Sequence, residues 1–238
     1  MPLTRTVMRT RYWVTDHTLV VRLHRRSRVL SSAPQGGGLG LASYILNHQV
    51  GADDRPERRY PDPSRYLRDL GIRLGIDAGV VGLMTAVPMA QLVTARVTAQ
   101  KLWVECFATV GVTNAVRAGE WPVSITPRKG RGWSGTINVI VITNASLSTS
   151  AMVGAVQVVT EAKTGSLHDH AVRSRGDGSL ATGTGTDAVV IACATRGQGP
   201  SQPYSGTHTV IGALIGAAVA QCVSRGLVKA KRWHRKRR

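Results

Sequence analysis

The segment KLWVECFATVGVTN, residues 101–114, places Leu102, Val104, Cys106, Ala108 and Val110 on one side of a strand. Trp103, Glu105, Phe107 and Thr109 fall on the other side. A strand of this kind must be covered by further layers, which constrains the fold more than any other feature. Other strand-like runs are RYWVTDHTLVVRL and SRVLSSA, with a charged turn between them, and AGVVGLMTAVPM, QLVTARVTA, GTINVIVITNA and GTDAVVIACAT. PQGGGLGLASYILNHQV is a glycine loop leading into an apolar segment. Helical spacing appears in YLRDLGIRLGI, where Leu67, Leu70 and Leu74 share a face. STSAMVGAVQVVTEAKTGSLHDH reads as a helix with Ser148 or Ser150 as N-cap, and the run from Gly206 to Arg232 as a last helix. The expected fold class is α+β: a single layered domain of mixed, largely antiparallel sheet packed with helices. Residues 1–9 are expected to be a flexible N-terminus, 10–225 the domain, and 226–238 a disordered basic tail.

The net charge of +18 is unevenly spread. Residues 1–101 carry 15 Lys and Arg against 7 Asp and Glu, residues 102–223 carry 8 against 6, and residues 224–238 carry 8 against none. The basic ends could touch polyanions, but the nearly neutral centre is where the motifs lie, so nucleic acid is not favoured as the partner. Cys106, Cys193 and Cys222 each sit in an apolar run without metal-type spacing, which suggests reduced thiols in a cytoplasmic protein. Val210–Val223 is apolar but short, so no membrane span is expected.

ATGTGTDAVVIACA, residues 181–194, fits the spacing G-x-G-x-x-A. A dinucleotide fingerprint follows a strand and opens a helix, whereas here the glycines precede a strand. No Lys follows them, which excludes a phosphate loop. What remains is a loop of alternating Thr and Gly ending in Asp187, able to hold a polar group or to cap a tight turn. Asn114, Asn138, Asn144 and His208 likewise stand at strand ends or a helix start, where sites are usually built.

Together, ATVGVTNAVRAGE, GTINVIVITNASLS, VQVVTEAKTGSL, ATGTGTDAVVIA and YSGTHTVIGALIG resemble the adenosylcobinamide amidohydrolases (CbiZ-type) of corrinoid salvage. The likeness covers about residues 10–225, and the segments occur in the family's order. Asp53–Pro63 and the basic tail look like additions. The resemblance implies hydrolysis of the amide joining a corrin side chain to aminopropanol, giving adenosylcobyric acid. Its partner would be a corrinoid small molecule, with homo-oligomerisation left open. No cofactor is required; cobalt enters only within the substrate, and a catalytic divalent metal is not favoured. The alternatives are a non-catalytic corrinoid-binding protein and nucleic-acid binding through the basic termini.

Amide hydrolysis needs an attacking oxygen, an oxyanion stabiliser and an acid for the amine. Glu161 is the expected base, on a polar stripe with Gln157 and Thr164, where burial beside the core would suit it to that task; the alternative is an exposed stripe with Glu161 as a solvated charge. Lys163 lies about 200° from it around the helix, and forms either part of the site or a structural ion pair. Asp187 and His208 are expected to form a carboxylate–imidazole relay, or His208 to cap its helix. Asp187, His208 and Glu161 are the trio from which a metal site would be assembled, and Thr186 or Ser146 are alternative nucleophiles. Gly36, Gly37, Asn47, Thr109, Asn114, Asn138, Asn144, Thr184 and Thr186 are expected to bind substrate. Trp121 and Trp133 are candidates to line or cover a broad corrin cleft.

Overall fold

The computed structural model describes residues 9–51, 62–76, 78–121 and 135–235. Trp133, residues 1–8 and most of the Asp53–Pro63 addition therefore lie outside the described residues. The first strands are β1 (Arg11–Thr15), β2 (Thr18–Ser31) and β3 (Gly38–Gln49). After α1 (Pro63–Arg73) come β4 (Val80–Thr85), a single 3₁₀ turn, β5 (Val93–Ala99), β6 (Leu102–Val110), β7 (Ala115–Val116), β8 (Ile137–Thr143) and β9 (Ser146–Leu147). Then follow α2 (Thr149–Asp169), β10 (Gly183–Thr184), β11 (Ala188–Cys193), β12 (Ser201–Gln202) and α3 (Val210–Arg235).

The expected turn among the charged residues of β2 is corrected: the strand runs through them with an irregular register between Arg22 and Ser27. The chain reverses earlier, at Asp16 and His17, whose φ values of 45° and 58° suit a tight hairpin. The bend in β2 organises the whole sheet. Its first half lies between β1 and β3, and its second half between β3 and β11.

The main sheet has the order β4-β3-β2-β11-β8-β6-β5, with β1 added beside β2. Only β3/β4 and β11/β8 are parallel among its pairs. In a flat sheet β3 and β6 would stand four steps apart, about 19 Å. Yet Asn47 Nδ2 on β3 lies 3.1 Å from Thr109 Oγ1 on β6. The sheet is therefore folded over on itself at β2. Val21, Ile45 and Leu83 from one arm meet Phe107, Ile140 and Ile142 from the other in a single apolar cluster.

Helices cover the outer faces. On one side, Leu67 of α1 sits against Gly82 of β4, where a Cβ would come within 3.1 Å. On the other, Met152, Val159, Ile215 and Val219 of α2 and α3 join Val104, Cys106, Val139 and Val141. Cys106 and Phe107 are adjacent in β6 and fully buried on opposite faces, because both faces are covered. The result is a single α+β domain built on a mixed, mostly antiparallel sheet.

Two boundaries follow from local chemistry. Ser148 caps α2, its Oγ accepting from Ala151 N at 3.0 Å. The last helix, expected to run to Arg232, continues to Arg235, past the expected domain boundary at 225. The disordered reading of the tail is corrected for residues 226–235, which continue α3. Leu227 and Ala230 are buried, and Lys229 Nζ donates to Leu92 O at 2.9 Å. Val210–Trp233 has the length and hydropathy of a membrane-spanning helix, but Ile211, Ile215, Ala218, Val219 and Cys222 are packed into the core. Its apolar character is accounted for by that packing.

Candidate active site

The Thr–Gly loop opens directly into β11, so the structure places it before a strand. Within the loop, β10 pairs antiparallel with β7, setting Thr184 opposite Ala115 and bringing Asn114 alongside. β11 runs parallel to β8, with Ala188 opposite Asn138. The second half of α2 lies over the same end, where Thr164 Oγ1 donates to Thr182 O at 3.0 Å. Four separate segments of sequence thus converge on one rim of the folded sheet.

Asp187 holds them together. Its Oδ2 accepts from Lys163 Nζ at 2.5 Å and from Thr184 N at 3.0 Å. Its Oδ1 accepts from Ile137 N at 2.9 Å and from the hydroxyl of Thr184. The ion pair is nearly enclosed, with side chains 10% and 12% exposed for Lys163 and Asp187. Four donors on its two oxygens fix the orientation of this side chain. Gly183 is required by this arrangement: a Cβ there would lie 2.6 Å from Asp187 Oδ2 and 2.8 Å from Lys163 Nζ. The close approach permitted by that glycine is made by neighbouring side chains.

Beside the ion pair, two hydroxyls face each other. Thr186 Oγ1 donates to Thr136 Oγ1 at 3.0 Å, and Thr136 Oγ1 donates to Thr186 O at 2.8 Å. Thr186 is exposed, whereas Thr136 is buried. Asn114 presses on Gly135, where a Cβ would fall 1.9 Å from Asn114 Oδ1. Among the described residues that buried oxygen has no hydrogen-bond partner.

The remaining expected site residues are placed differently. Glu161 is on the exposed side of α2, so the burial expected beside the core is absent. The cause is helical geometry: Lys163 points inward to Asp187, and Glu161, about 200° round the helix, points away. The Asp187–His208 relay is also corrected. The turn holding His208 is tied to the start of α2 through Ser205 Oγ and Ala151 O, whereas Asp187 is tied to Lys163. Twelve residues of helix separate those anchors, about 18 Å. His208 is exposed and does not cap α3; Thr209 does, its Oγ1 accepting from Gly212 N at 3.0 Å. Asp187, His208 and Glu161 therefore do not form a metal-type trio, and no three His, Cys, Asp or Glu side chains converge among the described residues.

Asn47, Thr109 and Asn138 are brought together, but inside the fold. Asn138 Nδ2 donates to Asn47 Oδ1 at 2.9 Å and to Met84 O at 2.8 Å, and Asn47 Nδ2 donates to Thr109 Oγ1. Each is at most 1% exposed, so their expected direct contact with substrate is corrected to a buried polar network joining the two arms. Asn144 is at the opposite end of β8, where it accepts from Trp103 N and donates to Lys101 O, closing the β5–β6 hairpin. Ser146 is buried in β9 at that same end, so of the two expected alternative nucleophiles only Thr186 lies on the Asp187 rim. Gly36 and Gly37 line a separate hollow on the rim, and Trp121 is 91% exposed.

The model of the adenosylcobinamide amidohydrolase family matches residues 2–235. The chain belongs to that family. An adenosylcobinamide amidohydrolase of Methanosarcina mazei is 31% identical over 223 residues, covering 91% of this chain and 96% of the relative. A protein of Methanocaldococcus jannaschii with no assigned activity is 29% identical over 228 residues, covering 89% and 86%. Among solved structures, a Burkholderia β-aminopeptidase aligns over 90% of this chain and 78% of its own, at 12% identity and a TM-score of 0.44.

Sequence reasoning missed Thr136 and Thr182, and it set Thr164 on the Glu161 stripe rather than against the Thr–Gly loop. Thr136 opens GTIN, a segment already singled out for Asn138, and its place beside Thr186 arises only from the β8–β11 pairing. Nothing in the linear sequence marks that neighbourhood.

Proposed function

We propose that this amidohydrolase cleaves the amide between the corrin side chain and aminopropanol in adenosylcobinamide, releasing adenosylcobyric acid. The observation that carries this reading is the family match over residues 2–235. It is supported by the convergence of the TGTGTD, GTIN, VTNA and TEAKT segments on one rim. Water adds across the C–N bond: oxygen goes to the carbonyl carbon, and a proton goes to the departing amine.

In this reading the Lys163–Asp187 pair is a positioning device that fixes the loop. The exposed hydroxyl of Thr186 is the polar group offered to the scissile amide, with Asn114 packed against Gly135 beside it. Purified protein incubated with adenosylcobinamide should yield cobyric acid and free aminopropanol by mass spectrometry. Binding of the corrinoid without aminopropanol release would overturn the hydrolytic reading and leave a binding protein.

A further inference from the structure

The hollow lined by Gly36 and Gly37 has a volume of about 330 Å³ and lies at the bend of β2. Arg26, Val29, Gly40, Leu41, Val80 and Val81 also line it. The glycines differ in what they need. A Cβ on Gly36 would meet Val80 O at 2.6 Å, and one on Gly37 would meet Ala33 O at 2.4 Å. Both are required by the backbone. Gly40 is not: it lies inside β3, outside the left-handed region, and a Cβ there would meet nothing within 4 Å. A glycine within a strand weakens the strand unless something approaches it closely. Here that space is the hollow itself.

Arg26 gives the hollow its chemistry. It is exposed, and among the described residues its side chain makes no hydrogen bond or ion pair and no carboxylate lines the hollow with it. An apolar floor of Val29 and Val81 beneath a free guanidinium suits a flat apolar edge that carries carbonyl acceptors. The hollow is also correctly placed for one large substrate. The Cβ position of Gly37 lies 3.5 Å from Ser31 O, and Ser31 pairs with both Gly38 and Val190. Two strand spacings, about 10 Å, and three residues of β-like chain, about 10 Å, separate it from Asp187.

Resting on the amidohydrolase reading above, we infer that this hollow is a second subsite, which takes an amide-bearing edge of the corrin ring away from the scissile arm. Arg26 donates to a peripheral carboxamide oxygen, and Gly40 leaves the floor flat for the ring edge. The cationic cobalt centre stays clear of the guanidinium, because the carboxamides project from the periphery.

The test uses Arg26→Ala and Gly40→Val in the full chain. Both should raise KM for adenosylcobinamide roughly tenfold or more with kcat within about twofold, the pattern of lost uniform binding. Equilibrium dialysis with cobyric acid, which lacks the scissile arm, should show a similar weakening. Unchanged KM and unchanged cobyric acid binding in Arg26→Ala would overturn the inference, as would a loss confined to kcat. Arg26 is at the surface, so its variant keeps the test valid if Gly40→Val fails to fold. Arg26-dependent binding of cobyric acid by a protein with no turnover would sink the hydrolytic reading alone. A protein that binds no corrinoid would sink both.

Discussion

Asp187→Asn is the most informative single change, because it preserves shape and removes charge. The carboxylate now accepts two donors on each oxygen: Lys163 Nζ and Thr184 N on one, Ile137 N and the Thr184 hydroxyl on the other. An asparagine keeps only one acceptor oxygen. Whichever way it turns, its amide nitrogen faces at least one obligate donor, and Lys163 is left nearly enclosed without a counter-charge. Removing one partner of a buried pair costs roughly 3–5 kcal/mol. For a chain of this size, that corresponds to a fall in Tm of about 6–20 °C. Urea unfolding is the direct assay, with a lower midpoint at unchanged slope. A double-mutant cycle with Lys163→Met sharpens it, since the pair should cost less together than the sum of the two singles. A loss below about 1 kcal/mol for Asp187→Asn, or simple additivity in the cycle, would refute the claim that this ion pair organises the rim.

Four further outcomes follow from particular contacts. Glu161→Gln should leave turnover near normal, because Glu161 faces solvent on α2; a loss of 10²-fold or more in kcat, the lower end expected for a general base, would restore it as the base. Removing residues 226–238 strips buried Leu227 from the core and should cost about 2–3 kcal/mol in urea unfolding, whereas a solvated tail would cost nothing measurable. Burial pushes the Cys193 thiol up, and a hydrogen bond with Cys222 together with burial raises Cys106 well above the usual thiol range. All three buried cysteines should therefore resist a thiol reagent at pH 8 until the protein is unfolded, and rapid labelling of the native protein would contradict their placement. Turnover of adenosylcobinamide should survive chelation, since neither the sequence nor the proposed chemistry calls for a metal; loss with EDTA and recovery with Zn or Mn would overturn that proposal.

Local signals in the sequence reached the strands and helices, but not the way they fold together. The alternation of Leu102–Val110 and the cap at Ser148 are properties of a few adjacent residues, and both are realised. The hairpin turn at Asp16 and His17 is hidden in the sequence because neither residue is a glycine, although both occupy left-handed φ. The charged residues after Arg22 looked like a turn because β2 bends there without ending. That bend is the step from which the site follows. It brings β3 across to β6, turns Asn47, Thr109 and Asn138 from expected ligand contacts into an interior network, and leaves the polar rim at the starts of β8 and β11. Residue type predicted that Asp187 matters. It could not predict that a lysine 24 positions earlier would satisfy it, since only the lie of α2 over β10 sets Lys163 rather than Glu161 toward the loop. The Thr–Gly alternation is thus explained from within the chain: the glycine at 183 makes room for an ion pair, and Thr186 beside it is fixed by Thr136.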